Sequence, residues 1–247
     1  MVDPRTAIVS ERMKEIARII AVSSGKGGVG KSLVASTLAL TLAKRGYEVG
    51  LVDLDFTSPS THLILGVGDH KPTEDRGLVP ANVHAVKYIS IIYYTGEQAT
   101  PLRGTDVSNT LLELLSITKW GKLDFLVMDM PPGIGDVTLD LLRWVKNAEF
   151  LIVTTPSQLA FETVRKLAGL LKVLETQIIG VVENMKMLPN DSVKQQTLRL
   201  GLDFLGKIPY DPKVEETIGD ARMLLETSFA KRVGQISSRI TNGLDPN

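Results

Sequence analysis

A glycine-rich segment between an apolar run and an amphipathic stretch carries the strongest chemical signal in the sequence. Residues 25–32 read Gly-Lys-Gly-Gly-Val-Gly-Lys-Ser and match the phosphate-binding pattern G-x-x-x-x-G-K-[ST]. Glycines let consecutive backbone N–H groups turn toward a phosphate, and the N-terminus of the following helix adds its positive dipole end. Lys31 would contact the β- and γ-phosphates and the Ser32 hydroxyl would bind Mg²⁺. The alternative is a flexible surface turn, which the strand–loop–helix context disfavours.

Acidic residues follow two further apolar runs. Asp53 and Asp55 follow Leu51 and Val52, and Asp129 follows residues 126–128. The carboxyl ends of parallel strands meet at one edge of a sheet, where a carboxylate can hold Mg²⁺-bound waters. We predict that Asp53 and Asp129 serve Mg²⁺ through water, and that Asp55 orients the water that attacks the γ-phosphate. Taken singly, each could equally be a helix cap or a turn residue.

Cysteine and histidine usage limits other chemistry. The 247 residues include no cysteine, which removes disulfides, thiol nucleophiles and thiolate-held metal sites on this chain. His62, His70 and His84 all follow the first acidic segment, but none has a histidine three or four positions away. We interpret them as loop histidines; a nickel or zinc site is the alternative.

Strand-length apolar runs alternate with amphipathic segments along the whole chain. This pattern predicts an α/β fold with a doubly wound, mostly parallel sheet and helices on both faces. Residues 1–247 are expected to form a single domain, with a lead-in helix in 1–17 and a C-terminal docking helix and tail in 228–247. We predict strands at 18–22, 49–53, 88–93, 125–130, 150–154, 178–182 and 204–208. We predict helices at 32–45, 108–115, 136–145, 161–174, 192–200 and 228–240. Residues 66–86 are expected to be a surface excursion.

The composition points to a globular protein without a strong electrostatic partner. Lys plus Arg and Asp plus Glu are balanced at 28 each, and 43% of the residues are hydrophobic. Disorder is therefore excluded, and no overall charge attracts nucleic acid or an anionic membrane. No leader-like apolar core or membrane-length apolar run is present, so we expect a cytoplasmic protein with neither membrane nor stable nucleic-acid binding.

The phosphate loop also carries a family resemblance. Lys26, inside the loop, is similar to the extra lysine of the deviant Walker A motif in MinD/ParA-type P-loop ATPases. Further segments resemble the Mrp/NBP35 subfamily, in order and at family spacing. These segments are 53–60, 102–104, 120–125, 129–136, 154–156, 180–185 and 205–212.

The resemblance implies an ATPase that forms a homodimer on ATP binding. Lys26 would reach the partner's phosphates, and 53–60 and 129–136 would be switch loops. Asn184 would contact adenine, and the base would pack on residues 209–211. The expected catalytic residues are Lys26, Lys31 and Asp55. The expected nucleotide-binding residues are Gly25, Lys26, Gly27, Gly28, Val29, Gly30, Lys31, Ser32, Leu33, Asn184, Pro209, Tyr210 and Asp211, and the expected Mg²⁺ residues are Ser32, Asp53 and Asp129.

Several positions depart from the family pattern. Leu33, Ser58 and Ile134 replace more usual small or hydroxyl residues, so slow hydrolysis is expected. Iron–sulfur scaffold members carry a C-x-x-C pair after the Glu-Asn-Met sequence, but residues 186–191 here read Lys-Met-Leu-Pro-Asn-Asp. We therefore expect no iron–sulfur cluster on this chain.

The missing cysteines led to a more specific hypothesis. Among cysteine-free members, the sequence resembles the archaeal Mrp/MinD-type HypB, which implies nickel delivery in [NiFe] hydrogenase maturation through a HypA-like metallochaperone. One alternative is an iron–sulfur assembly accessory without its own cluster. Another is a MinD- or ParA-like positioning ATPase acting on membrane or DNA. For the C-terminal apolar stripe of Phe229, Val233, Ile236 and Ile240, we favour docking on the sheet over membrane anchoring.

Overall fold

The computed structural model describes residues 3–95, 104–187 and 190–241. The strands are β1 Ile16–Ser23, β2 Val49–Asp53, β3 Thr73–Glu74, β4 Leu78–Val79, β5 Ala81–Val83, β6 Val86–Ser90, β7 Leu123–Asp129, β8 Ala148–Thr154, β9 Ile178–Lys186 and β10 Phe204–Pro209. The helices are α1 Arg5–Lys14, α2 Lys31–Lys44, α3 Thr61–Leu65, α4 Ile92–Thr95, α5 Thr105–Ile117, α6 Asp136–Trp144, α7 Gln158–Val173, α8 Ser192–Arg199, α9 Ala221–Glu226 and α10 Ser228–Ile240, with a 3₁₀ turn at Pro212–Thr217.

Eight strands form one sheet in the order β10-β9-β8-β1-β7-β2-β6-β5. Every pair in it is parallel except β5 with β6, and β3 and β4 form a separate antiparallel pair. The mostly parallel sheet with helices confirms the predicted fold class.

Side chains alternate across the central strand and create two apolar cores. On β1, Ile19 and Ala21 face the core formed with α1, α5, α6 and α7. Ile20 and Val22 face the opposite core, formed with α2, α3, α9 and α10. Both faces of the sheet are thereby covered, which is why its strands read as continuous apolar runs.

The register of the central strands brings two of the predicted site residues together. Asp53 at the end of β2 lies beside Asp129 at the end of β7, and Val22 of β1 lies beside Asp129 on the other side. The segments that follow these three strands therefore start at the same edge of the sheet, as expected for an open parallel fold.

The seven predicted strands are all present, with differences at their ends. The predicted strand at 88–93 is β6, which covers Val86–Ser90 and is followed by helix α4. Pairing with β2 ends at Ser90, whose Oγ accepts a hydrogen bond from the Ile92 N–H at 3.3 Å and starts a turn. The strand was therefore predicted too late in the chain.

The expected surface excursion at 66–86 is partly structured. Its second half contains β5, which pairs with β6 at the end of the sheet and buries Ala81 and Val83. Alternation of small apolar and polar residues over three positions was too short to indicate this strand.

Both terminal helices pack on the sheet. Helix α1 buries Val9 and Met13, and α10 buries its apolar stripe in the second core. Among the residues that the structure covers, no helix combines the length and apolar character needed to span a bilayer. Three predicted features lie outside the described residues: Leu102 and Arg103 of one family segment, Leu188 and Pro189 of the cysteine-free segment, and the tail at 242–247.

The turn after α3 gives a test of backbone packing. Gly66 has φ +60°, and a Cβ there would lie 2.0 Å from the Gly219 carbonyl oxygen. Gly68 has φ +55°, but a Cβ there would be no closer than 4.0 Å to its nearest neighbour, the Gly66 carbonyl oxygen. We expect Gly66→Ala to lower the free energy of unfolding by about 3 kcal/mol, and Gly68→Ala by about 1 kcal/mol, because only the first adds a backbone clash. Urea denaturation followed by circular dichroism measures both, and equal losses would contradict the close approach.

Candidate functional site

The glycine-rich loop joins β1 to α2 and opens into a cavity. Gly28 and Gly30 adopt left-handed backbone conformations, at φ +75° and +78°, that glycine tolerates best. Helix α2 begins at Lys31, directly after Gly30. The cavity is lined by loop residues 26–33 with Ser24, Asp55, Ser58, Ser60, Ile64 and Pro132. The loop, the start of α2 and both expected switch segments therefore meet at one site.

Other elements approach the loop closely at its first and last glycines, Gly25 and Gly30, where a side chain would not fit. A Cβ on Gly25 would lie 2.2 Å from Thr163 Oγ1 of α7. A Cβ on Gly30 would lie 2.3 Å from Asn184 Nδ2. The Gly133 N–H donates to the Ser24 carbonyl at 2.7 Å and ties the second switch segment to the loop. The loop is thus held by contacts with α7, β9 and the segment after β7.

Lys31 is paired with Asp129 in this structure. Its Nζ donates to Asp129 Oδ1 at 2.6 Å and to Ser32 Oγ at 3.2 Å, and the lysine and aspartate side chains are both buried. Burial raises the pKa of Asp129 to about 7, against the lowering effect of Lys31, and neighbouring Asp53 raises it further. Asp129 Oδ2 is buried without a hydrogen-bond partner among the described residues. The free carboxylate oxygen and the Ser32 hydroxyl are hard donors that suit Mg²⁺.

Asp53, predicted to serve Mg²⁺ through water, accepts hydrogen bonds from the loop that follows it. Its Oδ1 accepts the Asp55 N–H at 3.0 Å. Its Oδ2 accepts the N–H groups of Ser60 and Thr61, both at 3.1 Å, and the Thr61 hydroxyl at 2.7 Å. Burial raises the pKa of Asp53, and the hydrogen bonds from Thr61 oppose that effect. Both oxygens are therefore engaged in holding the first switch segment, and contact with Mg²⁺ would require that segment to move.

The remaining predicted catalytic residues lie at the mouth of the cavity. Asp55 Oδ1 accepts the Thr57 hydroxyl at 2.7 Å and the Ser58 N–H at 3.2 Å, which forms a local turn. Lys26 is exposed to solvent, and its carbonyl accepts the Ser24 hydroxyl at 2.9 Å. Asp55 thus faces the cavity, whereas Lys26 is accessible to another molecule.

A second cavity adjoins the first at Leu33 and contains the residues expected to bind the base. It is lined by Leu33, Asn184, Met185, Pro209, Tyr210, Asp211, Pro212, Val214, Glu215 and Phe229. Asn184 is buried, and its Nδ2 donates to the Val29 carbonyl at 2.9 Å. Asp211 caps the following 3₁₀ turn through Lys213 N–H and accepts the Ser228 hydroxyl at 2.7 Å. The hydrogen bond from Ser228 is the main cause of a lowered Asp211 pKa.

Several residues that shape the site, Thr61, Tyr88 and Thr163, were not predicted from the sequence. Thr61 Oγ1 lies 2.8 Å from the Tyr88 hydroxyl, which extends the Asp53 network to β6. Burial raises the pKa of Tyr88, so this phenol stays protonated. Thr163 packs on Gly25 from a helix more than a hundred residues away. A polar residue in an apolar strand was the one available signal, at Tyr88.

The histidines form no metal centre in the part of the chain that is described. No group of three or more His, Cys, Asp or Glu side chains there could hold a metal ion. His70 Nδ1 lies 2.8 Å from the Val67 carbonyl oxygen, and His84 Nε2 lies 2.9 Å from that of Leu65. These two rings therefore hold nearby backbone carbonyl groups in place.

Comparison with known proteins identifies the relatives of this chain. The ParA family described as "NUBPL iron-transfer P-loop NTPase" matches residues 15–244. An iron–sulfur cluster carrier protein from Pyrococcus horikoshii is 34% identical, over 98% of this chain and 92% of its own length. The chain spans only 61 to 65% of the length of several other iron–sulfur cluster carrier proteins that it matches.

Solved structures show the same architecture. A nucleotide-binding protein from Archaeoglobus fulgidus, in complex with ADP, is 30% identical with a TM-score of 0.75 and covers 90% of this chain and 93% of its own. The cell division ATPase MinD from Pyrococcus furiosus is 25% identical with a TM-score of 0.70, over 92% of this chain and 99% of its own. The fold is therefore that of the MinD/ParA-like P-loop NTPases.

The comparisons overturn the nickel hypothesis. The relatives are named iron–sulfur cluster carrier proteins, so nickel delivery in hydrogenase maturation is the wrong function, and neither the HypB resemblance nor a HypA-like partner is supported. The error came from treating the missing cysteine pair as evidence for another metal. Loss of ligands on one chain does not identify the metal centre that a partner carries.

The hydrogen bonds around Asp53 give a test of the switch segment. Thr61→Val keeps the side-chain shape but removes a donor to a buried carboxylate, so we expect it to lower the free energy of unfolding by about 2 kcal/mol. Tyr88→Phe should cost less, about 1 kcal/mol, because Asp53 keeps its donors. Chemical denaturation of both single variants and the double variant measures the coupling between them. Strictly additive losses would show that the Thr61–Tyr88 contact contributes nothing.

Proposed function

The chain belongs to the NUBPL family of iron-transfer P-loop NTPases, and on that basis we propose that it is an ATP-dependent accessory of iron–sulfur cluster assembly that holds no cluster itself. The observation that carries the proposal is a phosphate loop with its magnesium-side donors in place on a chain without cysteine. The cluster is cargo in this proposal, and a partner protein supplies its ligands.

The residues of this chain do not fit a thiolate-held cluster. Iron–sulfur clusters are bound mainly by cysteine thiolates, and the sequence contains none. At the end of β9, Lys186 donates to Glu183 Oε1 at 2.7 Å and to Asn190 Oδ1 at 2.9 Å. Its ammonium group has no lone pair, so it cannot coordinate iron. We therefore assign the chain the nucleotide-dependent part of the process.

Nucleotide binding would use the two adjoining cavities together. The phosphates would occupy the glycine-rich loop, and the base would lie between Asn184 and residues 209–211. Mg²⁺, when bound, neutralises phosphate charge, and Ser32 with the free oxygen of Asp129 would hold it. Lys31 would exchange its contact with Asp129 for the phosphate oxygens. The ADP complex of the Archaeoglobus fulgidus relative supports this use of the site.

ATP-dependent dimerisation would place Lys26 beside the nucleotide phosphates of the other subunit. Large apolar side chains are exposed on three segments that follow strands at the edge carrying the phosphate loop: Leu63 at 58%, Ile134 at 45% and Leu159 at 79%. We infer that these three side chains belong to one interaction surface. A second copy seated there would cover these side chains and place its Lys26 toward the phosphates, where the charge would assist hydrolysis.

Turnover by a Lys26 variant tests the dimeric mechanism. We expect Lys26→Ala to bind ADP as tightly as the unaltered chain and to hydrolyse ATP about a hundredfold more slowly, because the lysine would act on the partner's transition state. Lys44→Ala removes an exposed lysine of α2 away from the loop and serves as the control. Steady-state phosphate release and calorimetric ADP titration measure the two effects. Equal loss of ADP affinity and turnover would contradict a role across the interface.

Iron handling tests the assembly role itself. After anaerobic incubation with ferrous iron and sulfide, followed by desalting, we expect the chain to retain no stoichiometric iron. Added with ATP to a cluster-loaded donor protein and an apo-acceptor, it should accelerate cluster transfer, while Lys31→Ala should not. Transfer is followed by the acceptor's visible absorption. A stable cluster on this chain, or transfer rates indifferent to both chain and ATP, would refute the proposal.

A further inference from the structure

We propose that the buried ion pair between Glu183 and Lys186 is a positioning element for the nucleotide base, which couples the base cavity to the segment that follows β9. The inference rests on the proposed nucleotide binding and concerns the wall of the second cavity. Neither side chain lines that cavity, so the pair acts through its neighbours.

The pair encloses the two residues that form one wall of the cavity. Glu183 and Lys186 are three residues apart, with side chains 0% and 7% exposed, and Asn184 and Met185 lie between them. Met185 has φ +55°, a left-handed conformation that is uncommon for a residue with a side chain. A conformation of this kind persists when surrounding contacts impose it. The ion pair spans this strained step of the backbone and holds its ends together.

Asn184 lies between the ion pair and the phosphate loop. Its Nδ2 donates to the Val29 carbonyl at 2.9 Å, and it lies where any side chain on Gly30 would collide. A shift of the turn at Met185 would therefore move Asn184 relative to both the loop and the base. The hydrogen bond to Val29 requires the Asn184 amide to keep its distance from the loop, and the ion pair maintains that distance.

Lys186 also contacts the residues of β10 that line the cavity. Its carbonyl accepts the Tyr210 N–H at 3.1 Å, and Pro209 is its register partner on β10. Tyr210 and Pro209 line the same cavity as Asn184. Lys186 thus links the β9 part of the cavity wall, through its side chain, to the β10 part, through its backbone.

The same ammonium group reaches beyond the cavity. Lys186 Nζ donates to Asn190 Oδ1, which also accepts the Ser192 hydroxyl at 3.2 Å at the start of α8. A bound base that moves Asn184 or Tyr210 would shift Lys186 and change its hydrogen bond to Asn190. A partner that moves Asn190 would change the shape of the base cavity in return. Such coupling is reciprocal by thermodynamic necessity.

Two substitutions test the pair directly. Lys186→Met keeps the length of the side chain and removes its charge, whereas Glu183→Gln keeps its shape and one carbonyl oxygen. We expect ADP to bind about tenfold more weakly to Lys186→Met and a few-fold more weakly to Glu183→Gln. Inorganic tripolyphosphate contacts the phosphate loop alone, so its affinity should be unchanged in both. Isothermal titration calorimetry gives both dissociation constants.

A matched control and a milder variant complete the experiment. Glu162→Gln breaks an ion pair with the same three-residue spacing on the exposed face of α7, and it should change neither affinity. Asn190→Ala changes an exposed residue and should weaken ADP binding two- to threefold, even if Lys186→Met fails to fold. Unchanged ADP binding in Asn190→Ala and Glu183→Gln overturns the inference, as do parallel losses of ADP and tripolyphosphate. Failure of the unaltered chain to bind ADP would instead refute the proposed nucleotide function.

Discussion

Two buried carboxylates stand side by side at the carboxyl ends of two central strands, and the rest of the site is arranged around them. Their proximity follows from the register of β2 with β7, which aligns Asp53 with Asp129. Like charges this close cannot both be ionised in a dry interior without compensation. Asp53 is compensated by four hydrogen-bond donors from its own loop, and Asp129 by Lys31. The donors to Asp53 belong to its own loop and are fixed. The partner of Asp129 is Lys31, a flexible side chain that phosphates also attract.

That asymmetry explains how one site can both stay folded and respond to a ligand. In the proposed function, nucleotide phosphates would attract Lys31, and the negative charge then left on Asp129 would suit a divalent cation, so nucleotide and Mg²⁺ would favour each other. The glycine-rich loop would not need to reorganise, because Thr163, Asn184 and Gly133 already contact it from other elements. The free-energy cost of binding would then fall on Lys31 and the switch segments.

The sequence revealed what is encoded locally and missed what depends on distant partners. The phosphate-loop motif and the seven strands could be predicted because each is encoded in consecutive residues. The hydrogen bonds to Asp53 could not be predicted, since its donors Ser60 and Thr61 reach it only once the loop folds back onto the strand end. Strand β5 was missed because its three residues form a strand only when β6 is available. The error over nickel was of another kind, because it inferred a substrate from an absent ligand.

The segment after β9 shows why the absent ligand is better explained by a change of task. Lys186 is buried, and its amine is shared between a strand residue and Asn190. Replacing Lys186 by cysteine would remove a cation from Glu183 and leave a buried charge unpaired, which is strongly destabilising. The end of β9 is therefore built around an ion pair, and a thiolate at residue 186 would break it. In the proposed function, the chain would supply the nucleotide-dependent step, and a partner would supply the thiolates that hold the cluster.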